Sequence, residues 1–221
     1  MRTVIFDLDG TLADTSGDLI AAANACFRGL GKGDLLDPQR DAGTALRGGR
    51  AMLRLGFERL EVTDAEAQID AQYPILLEAY DKAIDHHTVL YAGARDAVTR
   101  LRDGGYKVGI CTNKPEALAE KLMRSLDFRD PFDALIGADT LPVRKPDPAP
   151  FVAAVERAGG RVETSLLIGD SITDHSTARA AGVPSVLVTF SPEGQRVAEL
   201  EPEALLHHYD DLDQVVAALI G

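Results

Sequence analysis

Short β-branched runs recur along the chain with helical stretches between them: "TVIFD" (3–7), "YKVGICT" (106–112), "ALIG" (134–137), "SLLIGD" (165–170) and "PSVLVTF" (184–190). Strands spaced by helices pair in parallel, so the alternation predicts an α/β fold on a doubly wound, Rossmann-like parallel sheet. The intervening stretches carry apolar residues at helical spacing, enough to cover a sheet face: Val98 and Leu101; Leu118, Leu122 and Leu126; Val152, Val155 and Ala158; Leu212, Val215, Val216 and Leu219.

One interval breaks the rhythm. Residues 14–86 read as helix after helix, marked by Leu19, Ala23, Phe27 and Leu30, then Leu53, Phe57 and Leu60, then Ile69, Tyr73, Leu76, Leu77, Tyr80 and Ile84. Pro74 predicts a kink or a split in the last of these. A crossover between parallel strands needs one helix. The excess predicts a helical cap over 14–86, inserted into a core of 1–13 and 87–221, with hinges near 13–16 and 86–93. At 221 residues the chain has room for both units.

The net charge of −12 leaves no basic stripe to neutralise phosphates, so neither nucleic acid nor a membrane is an expected partner. Cys26 and Cys111 are the only cysteines, and Cys111 closes an apolar run, which suits a buried, reduced thiol and a cytoplasmic setting. The apolar stretch at 4–6 is too short for a signal peptide, and no run approaches the roughly 18 apolar residues of a membrane span.

Chemistry gathers at the strand ends, where open parallel sheets bind ligands. In "VIFDLDGTL" (4–12), strand alternation aims Asp7 and Asp9 at one point. Thr112, Asn113 and Lys114 follow the second run, Lys145 and Pro146 the third, and "GDSITD" (169–174), with Asp170 and Asp174, closes the fourth. Singly, each has a plain reading: an Asp-Gly turn, a helix cap, a solvated loop, a helix start. Together they occupy one edge of one sheet.

This ordered set resembles the four motifs of the haloacid dehalogenase superfamily, and the early insert resembles its helical cap subgroup. The N-terminal, cap and strand patterns are most similar to those of phosphoglycolate phosphatases. The resemblance implies that Asp7 is the nucleophile that forms an aspartyl-phosphate, and that Asp9 protonates the leaving alkoxide and then deprotonates water. It implies Mg2+ held by Asp7, by the backbone carbonyl of Asp9 and by Asp170, with Asp174 contacting metal-bound water or orienting Lys145. Converging carboxylates repel by about 4 kcal/mol per pair at roughly 4 Å in an effective dielectric of about 20, a penalty that a divalent cation removes. Thr112, Asn113 and Lys145 would meet the phosphoryl oxygens. Gly10 would turn the chain and Thr11 bond to the turn.

The stretch "TALRGGRAML" (44–53) resembles a substrate-facing cap loop, in which Arg47 or Arg50 would read a substrate carboxylate. The other reading is a glycine turn with solvated arginines. Lys114 is either a phosphate contact or an exposed lysine at a helix start. The adjacent pairs His86, His87 and His207, His208 lack partner ligands at metal spacing and read as structural or solvated. His175 departs from the apolar residue usual in the family, which bears on the orientation of Asp174. An EF-hand loop, a Walker phosphate loop, a G-x-G-x-x-G turn and a G-x-S-x-G elbow are all absent.

The expected activity is Mg2+-dependent hydrolysis of a small phosphorylated metabolite, 2-phosphoglycolate first. A sugar-phosphate phosphatase or a mutase resembling β-phosphoglucomutase would use the same aspartates. A receiver-like phosphoacceptor module is the non-catalytic alternative. Nothing in the sequence sets an oligomeric state.

Overall fold

A computed structural model describes residues 1–221. In chain order the elements are β1 (Thr3–Phe6), β2 (Ala13–Asp14), α1 (Ser16–Gly29), α2 (Ala42–Leu46), α3 (Gly49–Arg59), α4 (Glu66–Lys82), β3 (Val89–Leu90) and α5 (Ala94–Asp103). They continue with β4 (Lys107–Cys111), α6 (Glu116–Ser125), β5 (Ala134–Ile136), α7 (Ala149–Arg157), β6 (Ser165–Gly169), α8 (Ile172–Ala181), β7 (Ser185–Val188), β8 (Ala204–Leu206) and α9 (Leu212–Ile220). Contacts divide the chain into Met1–Ala13 with Leu90–Gly221 and Asp14–Val89.

The larger unit is an all-parallel six-stranded sheet in the order β5-β4-β1-β6-β7-β8. The chain travels from β1 toward one edge and then returns past it to the other, so the direction of winding reverses beside β1. Both faces are covered: α7 and α8 pack on one, α5 and α9 on the other. Strand alternation sorts the residues. Ile5, Cys111 and Leu167 join Phe151, Ala154, Val155 and Ala178 in one buried cluster. Val4, Phe6, Val108 and Ile110 are equally buried, and Phe6 meets Phe132 edge to face at 6.3 Å.

The sixth strand, β8, escapes sequence reading. Its "ALL" has no β-branched residue and is three residues long, so its shape comes from pairing with β7, Val186 to Ala204 through Val188 to Leu206.

In the smaller unit, α1 packs against α3 and α4. The marked residues Leu19, Ala23, Phe27, Leu53, Phe57, Ile69, Leu76, Tyr80 and Ile84 are buried, and Phe27 stacks edge to face on Phe57 at 5.4 Å. Leu60, Tyr73 and Leu77 are half-buried, and Leu30 is exposed just past the end of α1. α4 runs through Pro74 as one helix, without the split the proline allows. The unit extends to Val89, beyond the expected residue 86, because Asp18 captures the returning chain. Its carboxylate accepts from the backbone N–H of His87 (3.0 Å) and of Thr88 (2.8 Å) and from Thr88 Oγ1 (2.7 Å).

Candidate active site

The sheet register brings the strand ends level. Phe6 aligns with Ile110 on one side and Ile168 on the other, and the next N–H in line, that of Asp7, donates to the Ile168 carbonyl at 2.8 Å. Thr112 N–H likewise donates to the Ile136 carbonyl at 2.9 Å. Asp7, Thr112 and Asp170 therefore leave the sheet at one edge. Beyond β1 the chain folds into a tight loop, in which the N–H groups of Thr11, Leu12 and Ala13 all converge on the Leu8 carbonyl (3.3, 3.0 and 3.1 Å). Gly10 makes the turn with φ 82°, a region side chains disfavour.

β1 ends at Phe6, so Asp7 and Asp9 lie beyond the strand, and Asp9 is not part of the carboxylate cluster formed by Asp7, Asp170 and Asp174. Asp7 and Asp9 each meet their own lysine. Lys145 Nζ lies 2.9 Å from Asp7 Oδ1, and Lys114 Nζ lies 2.9 Å from Asp9 Oδ1. Lys114 is 6% exposed, so its reading as an exposed lysine at a helix start is wrong: the ammonium turns inward to the Asp9 carboxylate.

The "GDSITD" stretch has a local reason for its shape. Ser171 is the N-cap of α8 and Asp174 completes a capping box, with Ser171 Oγ donating to Asp174 Oδ2 at 2.8 Å. The other oxygen, Oδ1, accepts from Lys145 Nζ at 2.6 Å. Both oxygens of Asp174 are thus engaged, one by its own helix and one by Lys145. Gly169 makes this possible, since a Cβ there would fall 2.2 Å from Asp174 Cγ. The Asn113 amide donates to the Lys145 carbonyl at 3.0 Å and ties the second loop to the third. Thr112 Oγ1 accepts from Lys114 N–H at 3.1 Å, which leaves the hydroxyl proton to donate elsewhere. Thr11 does not bond to the turn through its side chain; its buried Oγ1 has no hydrogen-bond partner.

Carboxylates outnumber cations here, with Asp7, Asp9, Asp170 and Asp174 against Lys114 and Lys145. Burial pushes Asp7 up to about 6, and the charges of Asp174 and Asp9 add to this against the pull of Lys145. Burial, with Asp174 and Asp7 beside it, raises Asp170 well above the usual carboxylate range. Burial alone would lower the Lys145 ammonium, but Asp174 and Asp7 outweigh it and hold it protonated. Asp7, Asp170 and Asp174 each offer an oxygen within 4.8 Å of the others. Asp7 Oδ1 is buried with no aligned hydrogen bond despite its ion pair to Lys145. An all-oxygen, electron-rich donor set with excess negative charge fits a hard divalent cation such as Mg2+.

The cap arginines lie in the smaller unit. Arg47 and Gly48 break the chain between α2 and α3, so the expected glycine turn is present. Arg50 pairs with Asp70 at 2.7 Å and lies over the Tyr73 ring at 4.9 Å. His86, His87, His207 and His208 are exposed, and none joins the acidic cluster. His175 turns away to the sheet, its Nδ1 2.9 Å from Ser185 Oγ, so it anchors α8 and leaves Asp174 to Lys145.

The family model of the haloacid dehalogenase-like hydrolases matches residues 1–182. A phosphoglycolate phosphatase of Mesorhizobium japonicum is 36% identical over 211 residues, covering 95% of this chain and 92% of that protein. One from Agrobacterium fabrum is 36% identical over 217 residues, covering 97% and 91%. Among solved structures, a predicted phosphoglycolate phosphatase from Haemophilus somnus superposes with a TM-score of 0.85 at 21% identity, covering 97% of each chain. A haloacid dehalogenase superfamily hydrolase of Geobacter sulfurreducens gives a TM-score of 0.74 at 21% identity, covering 98% and 96%.

Proposed function

The chain belongs to the haloacid dehalogenase-like hydrolase family, and from that premise we propose that it hydrolyses phosphomonoesters through a phosphoaspartate at Asp7, with Mg2+ as cofactor and 2-phosphoglycolate as substrate. The observation that carries this reading is the convergence of the Asp7, Asp170 and Asp174 carboxylates within 4.8 Å beside the buried Lys145.

In the first half-reaction a carboxylate oxygen of Asp7 attacks phosphorus and the bond to the substrate's alkoxide breaks, while Asp9 gives that oxygen a proton. In the second, Asp9 takes a proton from water, whose oxygen attacks the same phosphorus and releases Asp7. Lys145, fixed by Asp174, and the Thr112 hydroxyl face the phosphoryl oxygens, with the Asn113 N–H beside them. Asp7, Asp170 and the backbone carbonyl of Asp9 would hold Mg2+, which supplies positive charge against the carboxylates and the phosphoryl group when bound. An arginine of the 44–53 loop, Arg47 or Arg50, reads the substrate's carboxylate.

Relatives named phosphoglycolate phosphatase at 36% identity favour water over a sugar as the final acceptor, and so a phosphatase over a mutase. Membership of a hydrolase family likewise disfavours the phosphoacceptor module. A small metabolite as substrate and a cytoplasmic workplace complete the proposal.

Phosphate release is the test, measured with Mg2+ or EDTA across 2-phosphoglycolate, sugar phosphates, nucleotides and pyrophosphate. Dominant Mg2+-dependent turnover of 2-phosphoglycolate is the expected result. Preference for another monoester would overturn the substrate and keep the chemistry; no release from any of them would overturn both.

A further inference from the structure

The loop that carries Asp9 is held from outside the motif. Its internal hydrogen bonds use the carbonyls of Leu8 and Ala13. The carbonyls of Thr11 and Leu12 point away from that ladder and are met by distant groups: the Tyr209 hydroxyl donates to Thr11 O at 2.8 Å, and Tyr91 N–H to Leu12 O at 3.1 Å. Tyr209 is fully buried. Its ring packs on Phe190 at 5.3 Å, which packs on Tyr91 at 4.8 Å, and its own carbonyl accepts from Arg100 Nη2 at 3.0 Å. The side chain is therefore immobilised along its length, with the hydroxyl aimed at one carbonyl two residues from Asp9. Burial raises the phenol well above its ordinary value, so it stays a donor throughout the working range. Tyr209 lies outside residues 1–182, the stretch matched by the family model.

We infer that Tyr209 is a positioning residue for Asp9: its hydroxyl fixes the backbone of the Asp9 loop while Lys114 holds the carboxylate, and together they set the acid against the leaving oxygen. The inference rests on the hydrolase reading above. A tyrosine that merely fills the core would support the fold and leave proton transfer alone.

Tyr209→Phe separates the two roles, because it keeps the ring and removes one hydroxyl. The readout is kcat/KM for an alkyl phosphate, whose leaving group needs a proton, against p-nitrophenyl phosphate, whose leaving group does not. Misplacing the acid should lower the alkyl value about tenfold while the aryl value stays within about twofold. Asp9→Asn provides the second measurement: if Tyr209 acts through Asp9, adding Tyr209→Phe to Asp9→Asn costs the alkyl substrate little more. Phe128→Leu, which loosens the ring pair with Phe132 and leaves the Tyr209 stack intact, should lower Tm with the alkyl-to-aryl ratio unchanged. Parallel loss on both esters, no loss on either, or full additivity with Asp9→Asn in an active wild type would overturn this inference alone. A wild type inactive on both esters would overturn the hydrolase reading and this inference with it.

Discussion

At the scale of single residues, the site depends on which atoms each carboxylate is allowed to reach. Asp174 fits beneath β6 only because residue 169 has no side chain. Gly169→Ala is expected to push Asp174 off Lys145, lowering kcat by about a hundredfold or more, with a stability loss of about 1 to 3 kcal/mol seen in denaturant melts. Unchanged turnover would show that the contact between Asp174 and Lys145 is dispensable. Asp7 gives a pH prediction. Its carboxyl sits at about 6 in the fold against an ordinary 3.8, so the neutral form is favoured by folding. That contribution, about 3 kcal/mol, is complete below the ordinary value and is lost as pH rises through about 6. In EDTA, Asp7→Asn should therefore gain Tm over the wild type as pH rises across this window, and Mg2+ should cancel the gain by stabilising only the wild type. A Tm difference that stays flat with pH would contradict the assigned strain. The sequence made the aspartates and Lys145 legible, because motif spacing survives without coordinates. It hid the Lys114 pairing, since a lysine after Thr-Asn reads equally well as surface, and only the fold turns it inward to Asp9. It hid Tyr209 entirely, which is separated from Thr11 by 198 positions.

At the scale of elements, β7 and α8 are joined by a short polar chain that runs from buried His175 and Ser185 out to exposed Glu203. His175 Nδ1 is 2.9 Å from Ser185 Oγ, and Glu203 Oε2 accepts from Ser185 Oγ (2.9 Å) and from its N–H (2.7 Å). Partial burial pushes the Glu203 carboxyl up, but the two Ser185 bonds outweigh it and hold it below its usual range. Ser185→Ala removes the middle hydroxyl and strands buried His175 Nδ1, while exposed Glu203 keeps the backbone N–H of residue 185, so it is expected to cost about 1 to 2 kcal/mol in urea melts with kcat unchanged. An equal fall in kcat would mean that the chain reaches the active edge. The elements that sequence reading found are those with helical periodicity or apolar strand runs: β1, β4, β5, β6 and β7, and the helices α1, α3, α4, α5, α6, α7 and α9. The elements it missed, β2, β3, β8 and α2, are two to five residues long and owe their form to neighbours rather than to local preference. His175 illustrates the same limit, since its departure from the family pattern becomes intelligible only once Ser185 is seen opposite.

At the scale of the whole molecule, the chain crosses between its two units at 13–14 and 89–90. Two crossings make a hinged insert, so binding a phosphate analogue is expected to change amide exchange across 13–16 and 86–93. Equal exchange with and without the analogue would count against motion at those crossings. No helix is long and apolar enough to cross a membrane, and the net charge of −12 favours a cation at the acidic edge over an anionic polymer. The division into two units was legible because the run of helices over 14–86 exceeds what one crossover needs. Its far boundary was not, because the bonds from Asp18 to His87 and Thr88 span 69 and 70 positions. Whether Asp7 itself takes the phosphoryl group can be read by rapid-quench mass spectrometry of the peptide containing it, during turnover of 2-phosphoglycolate with Mg2+. A transient phosphoryl adduct on Asp7 is expected, rising and decaying within one turnover and absent in Asp7→Asn. Turnover with no adduct, or with the adduct on another residue, would contradict it.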